Sequence, residues 1–218
     1  RVSHSYKLDR DAVGNQVARV HLELLPPYTT RIVNFAASFR LADQSNSVVE
    51  EDVSVYLGKE AMVELDDPQI QALARKLKRS TSLDTARAIY DWLVHNIEYA
   101  GYMRDDLGAS YALKHRKGDC TEYMYLFMAL ARLNNIPARG VAGYVVHRDA
   151  ILDPGNHHNW AEFYEDGAWH IVDAQKGIFM EQQSSFVAMR TLSMPITRER
   201  SNAHRFWYNA PELEVRMN

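Results

Sequence analysis

The alternation of hydrophobic and polar positions predicts β-strands in the first third of the chain. Such alternation occurs over residues 17–22, and a second run covers Ile32–Leu41. A third, shorter run is Val53–Leu57, and the turn signal Asp66-Asp67-Pro68 closes this part of the sequence. These patterns predict a β-rich N-terminal region over residues 1–66.

Helical periodicity replaces the two-residue alternation after residue 67. Two apolar stripes predict amphipathic helices that face the core. They consist of Ile70, Leu73, Ala74 and Leu77, and of Ala86, Ile89, Tyr90, Leu93, Val94 and Ile97. A third helix is predicted from Cys120 to about Asn134, and Pro137 bars its continuation. One side of this helix is formed by Tyr123, Phe127, Leu130 and Ala131.

Strand patterns return after the third helix. Val141–Val146 is one predicted strand, and His158–Tyr164 is predicted to form a hairpin with Trp169–Asp173. An order of strands, helices and strands is typical of an α+β fold rather than of a parallel α/β sheet. We therefore predict a second domain over residues 67–218, with a C-terminal extension. Hydrophobic residues after Gly177 indicate that this extension packs against the protein: Phe186, Met189, Leu192, Phe206, Trp207 and Tyr208.

Composition and charge indicate a folded, water-soluble protein and favour some partners over others. The 218 residues are 46% hydrophobic, which is enough for a sizeable core. The formal net charge of -3 gives no reason to expect nucleic acid or an anionic membrane as a partner. No apolar window reaches the roughly 18 residues of a membrane span. The chain begins at Arg1 rather than Met, which favours a processed periplasmic or secreted protein and leaves a cytoplasmic one open.

Cys120 is the single cysteine, so the chain can form neither an internal disulfide nor a zinc site built mainly on thiolates. It follows Gly118-Asp119 and opens the third predicted helix. Unpaired backbone N–H groups and the positive end of the helix dipole favour a thiolate there. Two interpretations are open, a nucleophile and a small buried side chain at a helix start.

The predicted hairpin offers partners for a nucleophile. Because side chains alternate along a strand, His158 and Trp160 share one face. A turn centred on residues 165–166 sets Asp173 opposite His158, whereas a turn centred on residues 166–167 sets it opposite Trp160. Both registers keep Asp173 on the same side of the sheet as His158. A thiol, an imidazole base and an orienting carboxylate are the three groups that nucleophilic acyl transfer requires.

These residues resemble the transglutaminase-like superfamily, whose motifs are Gly-x-Cys at a helix start, His-x-Trp on a strand and Trp-x-x-x-Asp on the next strand. The chain has Gly118-Asp119-Cys120, His158-Asn159-Trp160 and Trp169–Asp173, in that order. The resemblance covers roughly Leu83 to Gly177. Cross-linking members usually show Gly-Gln-Cys-Trp at the nucleophile, which this chain lacks. It is more similar to bacterial transglutaminase-like proteins of the cysteine protease type.

The resemblance implies a papain-like fold in which the helix bearing Cys120 packs on an antiparallel sheet. It also implies a thiol enzyme acting on an amide or peptide bond, with Cys120 as nucleophile, His158 as base and Asp173 orienting the imidazole. Hydrolysis of a protein, peptide or small amide is the first expectation. The alternatives are an amine-accepting transglutaminase and a binding module that kept the fold without turnover. No cofactor is expected, and the oligomeric state is left open.

Other residues complete the predicted site. The backbone N–H of Cys120 is a natural oxyanion donor at a helix start, and Trp160 is predicted to wall the cleft. Glu162 is expected to support the predicted catalytic residues without contacting the substrate. The sequence does not choose among three candidates for a second oxyanion donor: Tyr99, Tyr102 and Tyr111.

Histidines and carboxylates elsewhere do not predict a metal site. His147, His157 and His158 lack the spacing of metal ligands, and His157 points to the opposite face of its strand from His158. Asp105-Asp106 is not followed by calcium-binding spacing and is interpreted as a solvated turn.

Overall fold

The structure is a computed structural model that describes residues 2–11, 13–36, 38, 52–148, 151–152 and 154–192. The chain forms two compact units, residues 1–42 and residues 43–218. The domain boundary predicted at residue 66 stays a prediction. Within the described ranges, no helix combines the length and the apolar character needed to cross a membrane.

The first unit contains an antiparallel hairpin of β1 (Tyr6–Arg10) and β2 (Gln16–Val20). The Asp11 carboxylate organises the turn, because its Oδ1 accepts the backbone N–H groups of Val13 and Asn15 at 3.1 and 2.9 Å. The alternation at residues 17–22 correctly predicts β2, but the sequence analysis misses β1.

The strand predicted over Ile32–Leu41 is not found where the structure describes it. Residues 32–36 and 38 form only an isolated bridge between Phe35 and Val2, while residues 37 and 39–41 lie outside the described part. Ile32 and Phe35 are 70% and 60% exposed. The run therefore lacks the buried face that stabilises a strand.

The described part of the second unit contains four α-helices: α1 (Pro68–Leu77), α2 (Ser82–Asn96), α3 (Gly108–His115) and α4 (Cys120–Arg132). Both predicted amphipathic helices are confirmed as α1 and α2. The predicted strand Val53–Leu57 is wrong, because these residues form a 3-10 helix. The Asp52 carboxylate caps it by accepting the Ser54 N–H at 3.0 Å.

α3 is absent from the sequence prediction because its cap comes from a distant part of the chain. Its first residues carry no capping side chain of their own. Instead, the Glu64 carboxylate accepts the backbone N–H groups of Ala109 and Ser110 at 3.0 and 3.2 Å. A window of local sequence does not contain this interaction.

A five-stranded antiparallel sheet completes the second unit. Its order is β8-β7-β6-β5-β9, with β5 (Ala138–Val145), β6 (His157–Glu165), β7 (Ala168–Asp173), β8 (Ile178–Phe179) and β9 (Phe186–Thr191). The predicted α+β class is thereby confirmed. β9 also shows how the extension packs: Phe186 and Leu192 are buried, Met189 is 39% exposed, and residues 206–208 lie outside the described part.

The β6–β7 hairpin turns at Asp166-Gly167, since Glu165 pairs with Ala168. Both turn residues have positive φ angles, 50° and 79°, as a two-residue type I′ turn requires. Of the two registers open to the sequence, the structure has the one that sets Asp173 opposite Trp160. His158 and Asp173 therefore lie on the same side of the sheet.

α4 is the central helix of the second unit. It packs on β5, β6 and β7 on one side and on α1, α2 and α3 on the other. Every residue from Thr121 to Arg132 is buried. The sequence analysis identifies only one apolar side of this helix, whereas a helix enclosed between two layers is covered all round. The helix bearing Cys120 is thus fixed against the sheet that carries His158 and Asp173.

Candidate active site

A capping box holds the start of α4. The Asp119 carboxylate accepts the Thr121 N–H at 2.8 Å, and the Glu122 carboxylate accepts the Asp119 N–H at 3.1 Å. The remaining oxygens bind the preceding loop, because Asp119 accepts the Met103 N–H and Glu122 the Leu107 N–H, both at 2.9 Å. The backbone around Cys120 is therefore fixed by two buried carboxylates.

Glycine is required at position 118 because the Glu122 side chain of the capping box packs against it. A Cβ atom at this position would lie 2.3 Å from Cβ of Glu122, closer than carbon atoms can approach. Gly118 pairs with Tyr99 in a short parallel ladder between β3 (Glu98–Tyr99) and β4 (Lys117–Gly118). Glycine thus allows the chain to pass Glu122 and enter α4.

Asn159 and Thr121 lie beside the thiol of Cys120. The Thr121 Oγ1 accepts a hydrogen bond from the Asn159 side-chain amide at 2.9 Å, so the Thr121 hydroxyl proton remains available to another acceptor. The buried Asn159 Oδ1 receives no hydrogen bond from the described residues. Thr121 and Asn159 thus connect the helix that bears Cys120 to the strand of His158.

Burial raises the pKa of the Cys120 thiol to about 12, and the Asp119 carboxylate adds to this effect. Asn159 and Thr121 act in the opposite direction. The helix start predicted for Cys120 is present, but desolvation outweighs the predicted preference for a thiolate. The resting side chain is a protonated thiol.

His158 and Asp173 form a buried hydrogen-bonded pair. The His158 Nε2 donates to Asp173 Oδ2 at 2.6 Å, and the two residues are 6% and 2% exposed. The other carboxylate oxygen, Oδ1, accepts the Lys176 N–H at 3.1 Å. Because Nε2 is engaged by the carboxylate, Nδ1 is the imidazole nitrogen available to take up a proton.

Behind the imidazole lies a chain of aromatic and charged groups. The Trp160 ring stacks on the His158 ring with centroids 6.5 Å apart, and its Nε1 donates to Glu162 Oε1 at 3.4 Å. Oε2 of Glu162 accepts two hydrogen bonds from Arg139, at 2.9 and 2.8 Å. The Arg139 guanidinium in turn lies 4.0 Å from the Trp169 ring. Glu162 therefore contacts the imidazole only through Trp160.

A narrow cavity connects α4 with the sheet. Cys120 and Asp173 both line it, together with Asn159, Trp160 and Tyr123. The space between these side chains does not admit a water molecule. Cys120 itself remains partly exposed to solvent.

The three tyrosines proposed as oxyanion donors differ in position. Burial raises the pKa of the Tyr99 hydroxyl and the nearby Cys120 and Asp119 add to this shift, while the Tyr99 side chain is 52% exposed. Tyr102 is 83% exposed. Tyr111 lies on α3, where its ring is 4.5 Å from that of His115. Of the three, Tyr99 is the one whose backbone pairs with Gly118, two positions before Cys120.

The structure also assigns roles that the sequence analysis missed. Thr121 and Asn159 occur within the recognised motifs, but only the folded chain brings their side chains together. The capping box had a local signal, since an acidic residue followed three positions later by Glu marks a helix start. Asp119 and Glu122 could have been identified from that spacing.

His157, the neighbour of His158 on β6, lies outside the hydrogen-bonded pair. His157 points away from His158, and its ring packs edge-on against Tyr144 at 5.8 Å. In the portion of the chain that the structure covers, no group of three or more His, Cys, Asp or Glu side chains is arranged to hold a metal ion.

The pH dependence of stability is expected to report on Glu122. Burial raises its pKa to about 7, so this group stabilises the fold fully below about pH 4.5 and loses that contribution as pH rises through 7. Relative to Glu122→Gln, the wild-type free energy of unfolding should fall by roughly 1 to 3 kcal/mol between pH 4.5 and 8. Urea unfolding of both proteins across this range measures the difference. Parallel pH curves would contradict the assignment.

The fold and the residues around Cys120 resemble those of cysteine-type enzymes with a papain-like core. The sequence model of the transglutaminase-like superfamily matches residues 71–174, so this part of the chain is a transglutaminase-like core domain. The resemblance inferred from the three motifs is thereby confirmed.

Similar proteins include a human and a mouse peptidase. Kyphoscoliosis peptidase of Homo sapiens is 31% identical over an alignment of 106 residues, which covers 44% of this chain and 16% of that protein. The Mus musculus protein of the same name is 28% identical over 106 residues, with the same shares. The chain thus matches about one sixth of the length of these relatives.

A solved structure also resembles the chain. It is a candidate cysteine protease from Cytophaga hutchinsonii, which is 27% identical and aligns with a TM-score of 0.54. The alignment covers 67% of this chain and 48% of that protein. This likeness supports the same core fold.

Proposed function

We propose that the protein is a cysteine hydrolase that cleaves an amide or peptide bond through Cys120, His158 and Asp173. The observation that carries the proposal is the buried 2.6 Å hydrogen bond between His158 and Asp173, beside the narrow cavity that Cys120 and Asp173 both line. A buried imidazole held by a carboxylate next to a helix-start cysteine is the arrangement that nucleophilic acyl transfer uses.

The first half of the reaction forms a thioester. Because burial keeps the thiol protonated, its proton moves to His158 Nδ1 as the sulfur attacks the substrate carbonyl carbon. The Asp173 carboxylate stabilises the imidazolium that results. The backbone N–H of Cys120 donates to the oxyanion, and the Tyr99 hydroxyl is the candidate for a second donor. The imidazolium then protonates the leaving amine, the C–N bond breaks, and the thioester remains.

The second half of the reaction releases the acid. Water attacks the thioester carbonyl while His158 Nδ1 takes one of its protons. The C–S bond breaks, and the proton returns to the sulfur of Cys120. The products are a carboxylic acid and an amine, and the enzyme regains its starting state.

Hydrolysis is favoured over transfer to an amine by two observations. Cys120 is flanked by Asp119 and Thr121 rather than by the Gln and Trp usual in cross-linking members. The relatives named above are a peptidase and a candidate cysteine protease. Extended to this chain, those names support a peptide substrate.

Peptide cleavage with an amine present separates the alternatives. Wild type and Cys120→Ala are incubated with a library of protein-derived peptides and a fluorescent primary amine, and products are analysed by mass spectrometry. We expect new peptide termini with the wild type only and no incorporated amine. Amine in the product, with release of ammonia, would show transfer instead. Unchanged peptides with both proteins would favour a binding module.

A further inference from the structure

An open pocket lies between α1, α2 and the C-terminal end of α3, and it shares no lining residue with the Cys120 cavity. Its volume is about 410 Å³, within the range of pockets that bind ligands. The apolar part of its lining consists of Leu73, Trp92 and Leu113. Leu113 is buried, and Leu73 and Trp92 are half-buried against the core.

The rest of the lining is strongly cationic. Lys76, Lys114 and Arg116 contribute to it, and none of its residues is acidic. Over the ranges that the structure describes, none of these three cations forms an ion pair. The pocket thus concentrates positive charge on a chain whose formal net charge is -3.

Arg116 occupies a backbone position that usually belongs to glycine. It is the C-cap of α3 with a φ angle of 55°, in the left-handed region that side chains disfavour. The guanidinium lies 4.6 Å from the centre of the Trp92 ring, a cation–π contact that fixes it at the pocket. An arginine in this conformation costs stability and supplies an oriented charge.

We propose that this pocket binds an acidic peptide segment that carries a large apolar side chain. The apolar side chain would contact Leu73, Leu113 and the Trp92 ring, while neighbouring carboxylates would pair with Lys76, Lys114 and Arg116. A concave lining that joins three apolar side chains to three cations fits a peptide better than a flat membrane surface, and the negative net charge opposes a nucleic acid. The proposal is independent of whether Cys120 catalyses a reaction.

Fluorescence anisotropy tests this binding with a labelled heptapeptide, Glu-Glu-Phe-Glu-Leu-Glu-Glu, in the Cys120→Ala background so that no peptide is consumed. We expect Lys76→Glu with Lys114→Glu to weaken binding by at least about tenfold. The matched control is Arg75→Glu with Lys78→Glu, which makes the same charge change at exposed positions near the C-terminal end of α1, outside the pocket. It should change the affinity by less than about threefold.

Further measurements make the test specific. A peptide with Gln in place of every Glu should bind at least about tenfold more weakly, and thermal unfolding midpoints should show that both double variants are folded. Equal loss in the two double variants would overturn the proposal, because it would reflect charge alone. Equal binding of the Gln peptide, no binding of the Glu peptide, or tighter binding of an oligonucleotide at the same residues would also overturn it.

Discussion

Asp173→Asn is expected to lower the rate of peptide cleavage by about 10²- to 10⁴-fold. The neutral amide cannot stabilise the imidazolium of His158 as the carboxylate does. Its NH2 group can also donate to Nε2, which would place the imidazole proton on Nδ1 and prevent that nitrogen from accepting the thiol proton. His158→Ala removes the base itself and should cause a loss at least as large. Initial rates on a peptide identified from the library measure both effects.

The adjacent histidine provides the control for this prediction. His157→Ala removes an imidazole one residue away whose ring packs against Tyr144 on the other face of β6. It should change the rate by less than about threefold, since the side chain has no role in the proposed reaction. A loss with His157→Ala as large as with His158→Ala would contradict the assignment of the base.

Arg132→Met is expected to lower the free energy of unfolding by about 3 to 5 kcal/mol. Arg132 is buried near the end of α4 and forms a 2.6 Å ion pair with Glu60. Its Nε and Nη2 atoms also donate to the Ala138 carbonyl at 2.9 and 2.7 Å. Methionine keeps the apolar stem but leaves a largely buried carboxylate and a carbonyl without these donors. Because whole domains are stable by about 5 to 15 kcal/mol, this loss is a large share.

An exposed ion pair of the same kind serves as the comparison. Arg87→Met breaks the 3.0 Å contact with Asp91 on the surface of α2 and should cost less than about 1 kcal/mol. Urea unfolding of both variants and the wild type gives the values. A loss below about 1 kcal/mol for Arg132→Met would show that the Arg132 side chain does not secure α4 against Glu60 and β5.

The sequence predicts those parts of the fold that depend on local periodicity. The stripes of α1 and α2 and the alternation of β6 are visible in single segments, so the shared face of His158 and Trp160 follows from the sequence alone. α3 is not visible because Glu64 caps it from outside the helix. Val53–Leu57 has strand-like composition, yet with the cap from Asp52 it forms a 3-10 helix.

The candidate site, too, is only partly predictable from the sequence. The motifs identify the residues, and the turn at Asp166-Gly167 selects one of two hairpin registers that the sequence leaves open. The protonation state of Cys120 depends on how deeply α4 lies between helices and sheet, which no local pattern encodes. The link between Asn159 and Thr121 beside the thiol likewise joins residues 38 positions apart in the chain.

Activation of Cys120 by His158 and Asp173 can be measured as the labelling rate of Cys120 with a peptidyl acyloxymethyl ketone near pH 7. Wild type, His158→Ala and Asp173→Asn are compared by mass mapping, with iodoacetamide as a reagent that does not resemble a peptide. Since burial raises the pKa of the thiol to about 12, iodoacetamide should react slowly and similarly with all three proteins. The peptidyl reagent should label the wild type at least about 100-fold faster than either variant. Equal rates of peptidyl labelling in the three proteins would contradict an activated Cys120.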